Sequence, residues 1–206
     1  MKVYGHPLSS CTRKVLITLA EKGQKAEFCA VDLFTAEQKA AAHMSRHPFG
    51  VVPVLDDDGF VLYESRAIVR YLDVRFPAPR LTPTAPQDVA RMDQWLSVDQ
   101  SYIAPHTRAL AVERLVKKHE GKEADPAVVR ASEGALGAAR AVLDRELTTR
   151  EYLAGDAFSL ADVSLMPYVA SLPMVGAQHL VTGLSSLGAW WSRVETRPSW
   201  RAATGS

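Results

Sequence analysis

The sequence predicts two unlike halves: mixed α/β from Met1 to about Pro77, and all helix from Gln87 onward. Three observations carry this. Runs of strand length alternate with helical patterns in the first half; Pro77, Pro79, Pro83 and Pro86 interrupt both patterns; and beyond them apolar residues recur at helical spacing. Residues 78–86 are therefore expected to link a domain over 1–77 to a second over 87–206. At 206 residues the chain can bury real cores without a disulfide or metal staple.

The elements follow in order. Val3-Tyr4 starts a strand, Arg13 to Lys22 has the helical spacing, and Glu27 to Val31 forms a second strand. A strand, helix, strand opening implies a crossover with the two strands parallel. Pro53-Val54-Leu55 and Val61-Leu62-Tyr63 flank Asp56-Asp57-Asp58-Gly59, whose Asp-Gly step marks a tight hairpin that extends the sheet antiparallel. Ala67, Ile68, Tyr71 and Leu72 then line one side of a helix, which completes a βαβ–ββα order.

Past the prolines, Gln87 to Leu115 carries helical spacing that Pro105 should bend or divide. Asp125-Pro126 opens another helix, with Val129, Ala135, Leu136, Ala139, Val142, Leu143 and Leu147 on its buried side. Ser159-Leu160-Ala161-Asp162 is a capping box in its Asp form, ahead of a helix to about Ala170. A last helix is expected from Leu187 to about Val194.

Charge narrows the function. Lys plus Arg total 24 and Asp plus Glu 23, without long like-charge runs, so nothing draws the chain to nucleic acid or an anionic membrane. The longest apolar run, Val15 to Ala20, is far short of the ~20 residues that span a bilayer. Leu8-Ser9-Ser10-Cys11 superficially matches a lipoprotein cleavage site, but Lys2, His6 and Pro7 stand where an apolar signal region belongs. Two cysteines, Cys11 and Cys29, make no disulfide framework and no zinc spacing, which fits a reducing, cytoplasmic setting.

Four stretches could carry chemistry. Ser9, Ser10 or Cys11 could cap the first helix. Ser9 has no His-Asp pair at a recognisable spacing to make it a nucleophile, yet it suits donation of a hydrogen bond to an anion. Cys11 is either a small buried hydrophobe or a thiol activated by the helix N-terminus and Arg13. Glu64-Ser65 stands where strand gives way to helix, so Ser65 either caps its own helix or holds a carboxylate. Pro53 at the start of a strand either marks a sheet edge or, with a cis Val52-Pro53 bond, turns the N–H and C=O of Val52 out toward a peptide-like ligand. His43 and His47 are four apart, but Pro48 disfavours a helix there and no carboxylate or Cys completes a set, so no metal is expected.

Together these residues resemble the glutathione transferase superfamily, most of all its phi class. The matching residues are Lys2-Val3-Tyr4-Gly5-His6-Pro7 with Ser9 and Thr12-Arg13, then Arg46-His47-Pro48-Phe49-Gly50, Val52-Pro53, Glu64-Ser65-Arg66-Ala67-Ile68, and the Ser159 to Asp162 box. The resemblance covers nearly the whole chain. It implies a thioredoxin-like N-terminal domain, an all-helical C-terminal domain, glutathione as co-substrate without a permanent cofactor, and a homodimer in which Phe49 docks into the partner. Carried over by position, Ser9 is the active-site serine, Gln38 and Lys39 lie near the glycyl carboxylate, Val52 beside Pro53 holds the cysteinyl backbone, and Glu64 with Ser65 holds the γ-glutamyl end. Val51 and Gln38 depart from the phi pattern of Gln and His, which implies weaker binding rather than none. The second substrate is expected to be apolar, with Leu8, Phe34, Tyr102 and His106 as its contacts.

The chemistry so implied is thiolate formation. A thiol of pKa ~8.5 is only about 3% ionised at pH 7, and a shift of about two units makes the thiolate dominant. The Ser9 hydroxyl as donor, the first helix's N-terminus and Arg13 are the candidate contributors, each expected at the level of about 1 kcal/mol or slightly above. Two other readings stay open. One is a Cys11-dependent thiol transferase or reductase; the other is a non-catalytic ligand carrier on the same fold.

Overall fold

A computed structural model of the chain describes residues 1–205, which fall into two units: 1–81 together with 196–205, and 82–195. The first unit opens with β1 (Lys2–Gly5), α1 (Ser10–Glu21) and β2 (Glu27–Ala30), and β1 pairs with β2 in parallel. A single 3₁₀ turn, Glu37–Lys39, and a one-turn helix α2 (Ala41–Met44) follow. The sequence patterning did not suggest either, because one turn is too short for a periodicity.

The hairpin β3 (Val54–Asp57) and β4 (Phe60–Tyr63) then completes a sheet of order β2-β1-β3-β4. Its turn has positive φ at both central residues, 52° at Asp58 and 97° at Gly59, the geometry that follows the twist of the flanking strands. Helix α3 (Ser65–Arg75) buries Ile68, Val69 and Leu72 in one core with Val3, Val15, Ile17, Val54 and Leu55. Inside that core the Lys22 ammonium donates to Asp73 and to the Pro79 carbonyl, and Leu81 N–H donates to Asp73 at 2.9 Å. A buried cation and carboxylate are tolerable here because each satisfies the other and the chain leaving α3 as well.

The second unit is helical throughout. Helix α4 (Pro86–Val98) runs into a wide π turn, Asp99–Ile103, and α5 (Ala104–Ala111) starts beyond it with Pro105 in its first turn. Pro105 thus divides the helix as expected: its missing N–H falls where no intrahelical partner is needed. A second π turn, Val112–Val116, leads to the single turn α6 (Lys117–His119). Helix α7 (Pro126–Glu146) is capped by Asp125, whose carboxylate accepts from Ala127 N–H at 2.8 Å.

Helix α8 (Leu160–Ser171) is buried on every side, so the others pack around it. The Ser159 to Asp162 box forms as expected, Ser159 N–H donating to Asp162 at 2.9 Å. Asp162 is fully buried and also receives Leu153 N–H at 3.0 Å and the indole N–H of Trp190 at 2.8 Å. Burial pushes this carboxyl up, against the hydrogen bonds that favour its charge. Helix α9 (Ser185–Glu195) supplies Trp190. Among the described residues, no helix is long and apolar enough to cross a membrane.

The final helix α10 (Pro198–Thr204) belongs with the first unit and lies on α1. No helix is expected from the sequence beyond about Val194, and residues to 206 are grouped there with the helical half. The buried Trp200 and the ion pair of Arg197 with Glu21 bring this helix to α1 instead.

Candidate functional site

The strand register gathers the candidate residues at one end of the sheet. Tyr4 pairs with Val54 and Val54 with Tyr63, so the chain leaves β1 toward Ser9 beside the start of β3 at Val52-Pro53 and beside the end of β4 at Glu64-Ser65. Parallel β2 ends on the same side, where Ala30 lies opposite Gly5, and leads to Phe34 and Gln38. Loops at the carboxyl ends of parallel strands are the usual position for a ligand in α/β sheets.

The loop from His6 to Ser9 is closed by its own neighbours. Ser9 N–H donates to the His6 carbonyl at 2.9 Å, Leu8 N–H to His6 Nδ1 at 3.3 Å, and His6 N–H to Thr12 Oγ1 at 3.3 Å. Arg13 Nε donates to the Pro7 carbonyl at 2.8 Å, and its guanidinium lies over the Trp200 ring of α10 at 5.9 Å. Ser9 is the N-cap of α1, its Oγ accepting Thr12 N–H at 3.3 Å. Capping uses the oxygen alone, so the hydroxyl proton stays available to an anion beyond the helix end. The two sequence readings of Ser9, cap and donor, are compatible. Burial lowers the pKa of His6, with the Arg13 charge adding to that effect and Asp32 opposing it.

The 3₁₀ turn that carries Gln38 and Lys39 packs on the segment before Pro53. Gly50 has φ 57°, and a Cβ there would stand 2.9 Å from the Gln38 carbonyl oxygen and 2.9 Å from Lys39 Cδ. Lys39 Nζ donates to the Phe49 carbonyl at 3.0 Å, which occupies one of its three protons. Gln38 Oε1 is buried with no hydrogen-bond partner among the described residues. The Val52–Pro53 peptide bond is cis, and within the described residues no backbone group pairs with the Val52 N–H or C=O.

Glu64 has φ 70° and ψ 107°, an unfavourable region for a side chain, and its own side chain makes no cap bond. Ser65 starts α3, is 2% exposed, and its Oγ has no partner among the described residues. The simple cap reading of Ser65 is therefore not what the geometry shows, since Glu64 holds the cap position and Ser65 the first helical one.

Of the residues assigned to an apolar second substrate, Leu8 and Phe34 are exposed in the first unit, and Phe34 meets the His6 ring edge-on at 6.0 Å. In the second unit Tyr102 is exposed on the π turn and His106 is half-buried in the first turn of α5. Cys11 is half-buried inside α1, one turn before the core residue Val15. Sequence analysis overlooked a role for His43, whose Nε2 lies 2.8 Å from the Val51 carbonyl. From the sequence, the four-residue spacing to His47 is weighed only as a metal pair and set aside, and this contact joins two segments that no periodicity relates.

A thioredoxin-like α/β unit with its candidate residues at one sheet end, followed by an all-helical unit, puts the chain in the class of two-domain proteins that pair a thioredoxin-like domain with a helical one. Residues 1–74 match the glutathione S-transferase N-terminal domain and residues 103–198 the C-terminal domain. The chain belongs to the glutathione S-transferase family. It is 32% identical over 204 residues to glutathione S-transferase F12 of Arabidopsis thaliana, covering 98% of this chain and 95% of that one. It is 35% identical over 208 residues to glutathione S-transferase hmp2 of Hypomyces subiculosus, covering 99% and 97%. Glutathione transferase F7 of Populus trichocarpa superposes with a TM-score of 0.90 at 30% identity over 99% and 97% of the chains. A solved glutathione S-transferase I with lactoylglutathione bound gives 0.87 at 29% identity over 99% and 98%. The plant relatives of the F series are phi-class enzymes, and the chain is of that kind.

Proposed function

We propose that the protein conjugates the thiolate of glutathione to electrophilic, largely apolar substrates, with Ser9 as the residue that stabilises the thiolate. The observation that carries this is the cap geometry. Ser9 Oγ accepts from Thr12 N–H and keeps its own proton for an anion at the positive end of a twelve-residue helix. Arg13, a residue that keeps its charge even where burial lowers its pKa, adds a fixed positive field one turn away. In the reaction the thiol proton leaves for solvent and the sulfur lone pair forms the S–C bond. The leaving group departs with its bonding pair, or the proton returns to carbon in an addition.

The tripeptide is read across the sheet end. Gln38 and Lys39 face its glycyl carboxylate, Val52 beside Pro53 pairs with the cysteinyl backbone as an added strand would, and Glu64 with Ser65 takes the γ-glutamyl end. The Ser65 Oγ, buried without a partner among the described residues, supports the last of these. Leu8 and Phe34 contribute apolar surface for the electrophile; Tyr102 and His106 are assigned to it by family position. Phe49, 67% exposed, is the docking side chain of a homodimer, and a monomer in sedimentation at micromolar concentration would refute that assignment.

The test is the pH dependence of conjugation to a chloronitrobenzene for wild type, Ser9→Ala and Cys11→Ala. Loss of rate and an upward pH shift in Ser9→Ala alone support the assignment. Damage confined to Cys11→Ala, with a trapped Cys11–glutathione disulfide, moves the protein to thiol–disulfide chemistry.

A further inference from the structure

The backbone from Phe49 to Val51 is fastened residue by residue. Lys39 takes the Phe49 carbonyl, Gly50 N–H returns to the His47 carbonyl at 2.8 Å, and His43 Nε2 takes the Val51 carbonyl at 2.8 Å. A carbonyl only accepts, so Nε2 of His43 carries the proton.

The His43 contact is held in place by what surrounds it. His43 is 4% exposed and His47 1% exposed. Their rings stack with centroids 6.4 Å apart, and the next ring, Tyr63, lies 4.6 Å from His47. Tyr63 is paired in the sheet with Val54, so the stack runs from α2 to β4, and His43 cannot swing away without opening it.

The consequence lies in the peptide plane. The C=O of Val51 and the N–H of Val52 belong to one planar trans unit, so they point in opposite directions. Whatever holds the oxygen aims the hydrogen. We infer that His43 is a positioning residue for glutathione: by holding the Val51 carbonyl it turns the Val52 N–H outward, toward the cysteinyl backbone of the tripeptide. This rests on the reading of Val52 as the peptide-binding edge. Among the described residues no hydrogen bond or ring contact joins His43 to Ser9 or the loop that carries it, so its effect falls on glutathione binding and not on the chemical step.

Two variants separate the hydrogen bond from the packing. His43→Phe keeps a ring against His47 and removes the donor. His43→Gln keeps a donor nitrogen the same number of bonds from Cα. The dissociation constant and KM for glutathione should rise about fivefold in His43→Phe, the loss of one neutral hydrogen bond, and return toward wild type in His43→Gln. The kcat at saturating glutathione should stay the same in both.

Amide exchange at Val52 distinguishes the levels of failure. Glutathione should slow it strongly in wild type and less in His43→Phe. No slowing in wild type overturns the reading of Val52, and this inference with it. Slowing in wild type with unchanged affinity in His43→Phe overturns the inference alone. So does a fall in kcat and melting temperature shared by both variants, which would make His43 a packing residue. Should His43→Phe not fold, an affinity and Val52 exchange in His43→Gln far from wild type would overturn it equally.

Discussion

Arg197 grips Glu21 with two prongs, Nε on Oε1 at 2.7 Å and Nη2 on Oε2 at 2.8 Å, and so fastens α10 to the end of α1. The Ser199 hydroxyl donates to the same carboxylate. Burial alone would raise the pKa of Glu21, but the Arg197 and Ser199 hydrogen bonds outweigh it and lower the value below 4.5. A carboxyl with a depressed folded pKa contributes stability above its unfolded pKa and loses it as pH falls through the folded value. Glu21→Gln should therefore cost about 2 kcal/mol near neutral pH, where a charged hydrogen-bonded pair is broken. The gap from wild type should close below pH 4.5, as checked by thermal melts across pH.

The His6 ring holds Leu8 in the Ser9 loop only while neutral, since its Nδ1 accepts from Leu8 N–H. Its folded pKa is lowered from 6.5 by burial, so its contribution is complete above 6.5 and disappears as pH falls through the lower folded value. NMR titration of its ring should give a midpoint below 6.5, with loosening of the Leu8 and Ser9 amides at the same pH.

Glu64 occupies a backbone region where a side chain is strained. Glu64→Ala and Glu64→Gly both remove the carboxylate and should weaken glutathione binding alike. Only Gly relieves the strain, so Glu64→Gly should be the more stable of the two by about 1 kcal/mol in denaturant melts. Equal stabilities would mean that the backbone relaxes at no cost.

Gly50→Ala places a methyl against the Gln38 carbonyl and Lys39 at a φ that disfavours it. The clash is with backbone, which cannot step aside as a flexible side chain can. Glutathione affinity should fall at least tenfold because the 38–39 turn and the Val52 segment are pushed apart, at a cost of about 1–3 kcal/mol. Calorimetry with glutathione and a thermal melt check both effects.

Much of the site was legible because its parts are local. A cap for α1 among Ser9, Ser10 and Cys11, Pro53 leading β3 and Ser65 at the start of α3 each follow from a few neighbouring residues, and the structure picks Ser9 as the cap. Less legible was anything short or distant. The one-turn helix α2 has no periodicity to detect, and His43 took meaning only from a carbonyl eight residues on, across a loop.

What the sequence determined by itself was the order of the longer elements as far as the helix at Leu187 to Val194, the Asp58-Gly59 turn and the Ser159 to Asp162 box. These rest on interactions spanning a few residues, which side-chain pattern and backbone preference encode directly. Only the tertiary structure decided that the last helix returns to the first unit, with Arg197 on Glu21 at a separation of 176 residues. It alone also brought His43 under Val51. A contact of that kind is selected by complementary burial and hydrogen bonding after the chain has closed on itself, and neither partner's local sequence carries a sign of the other.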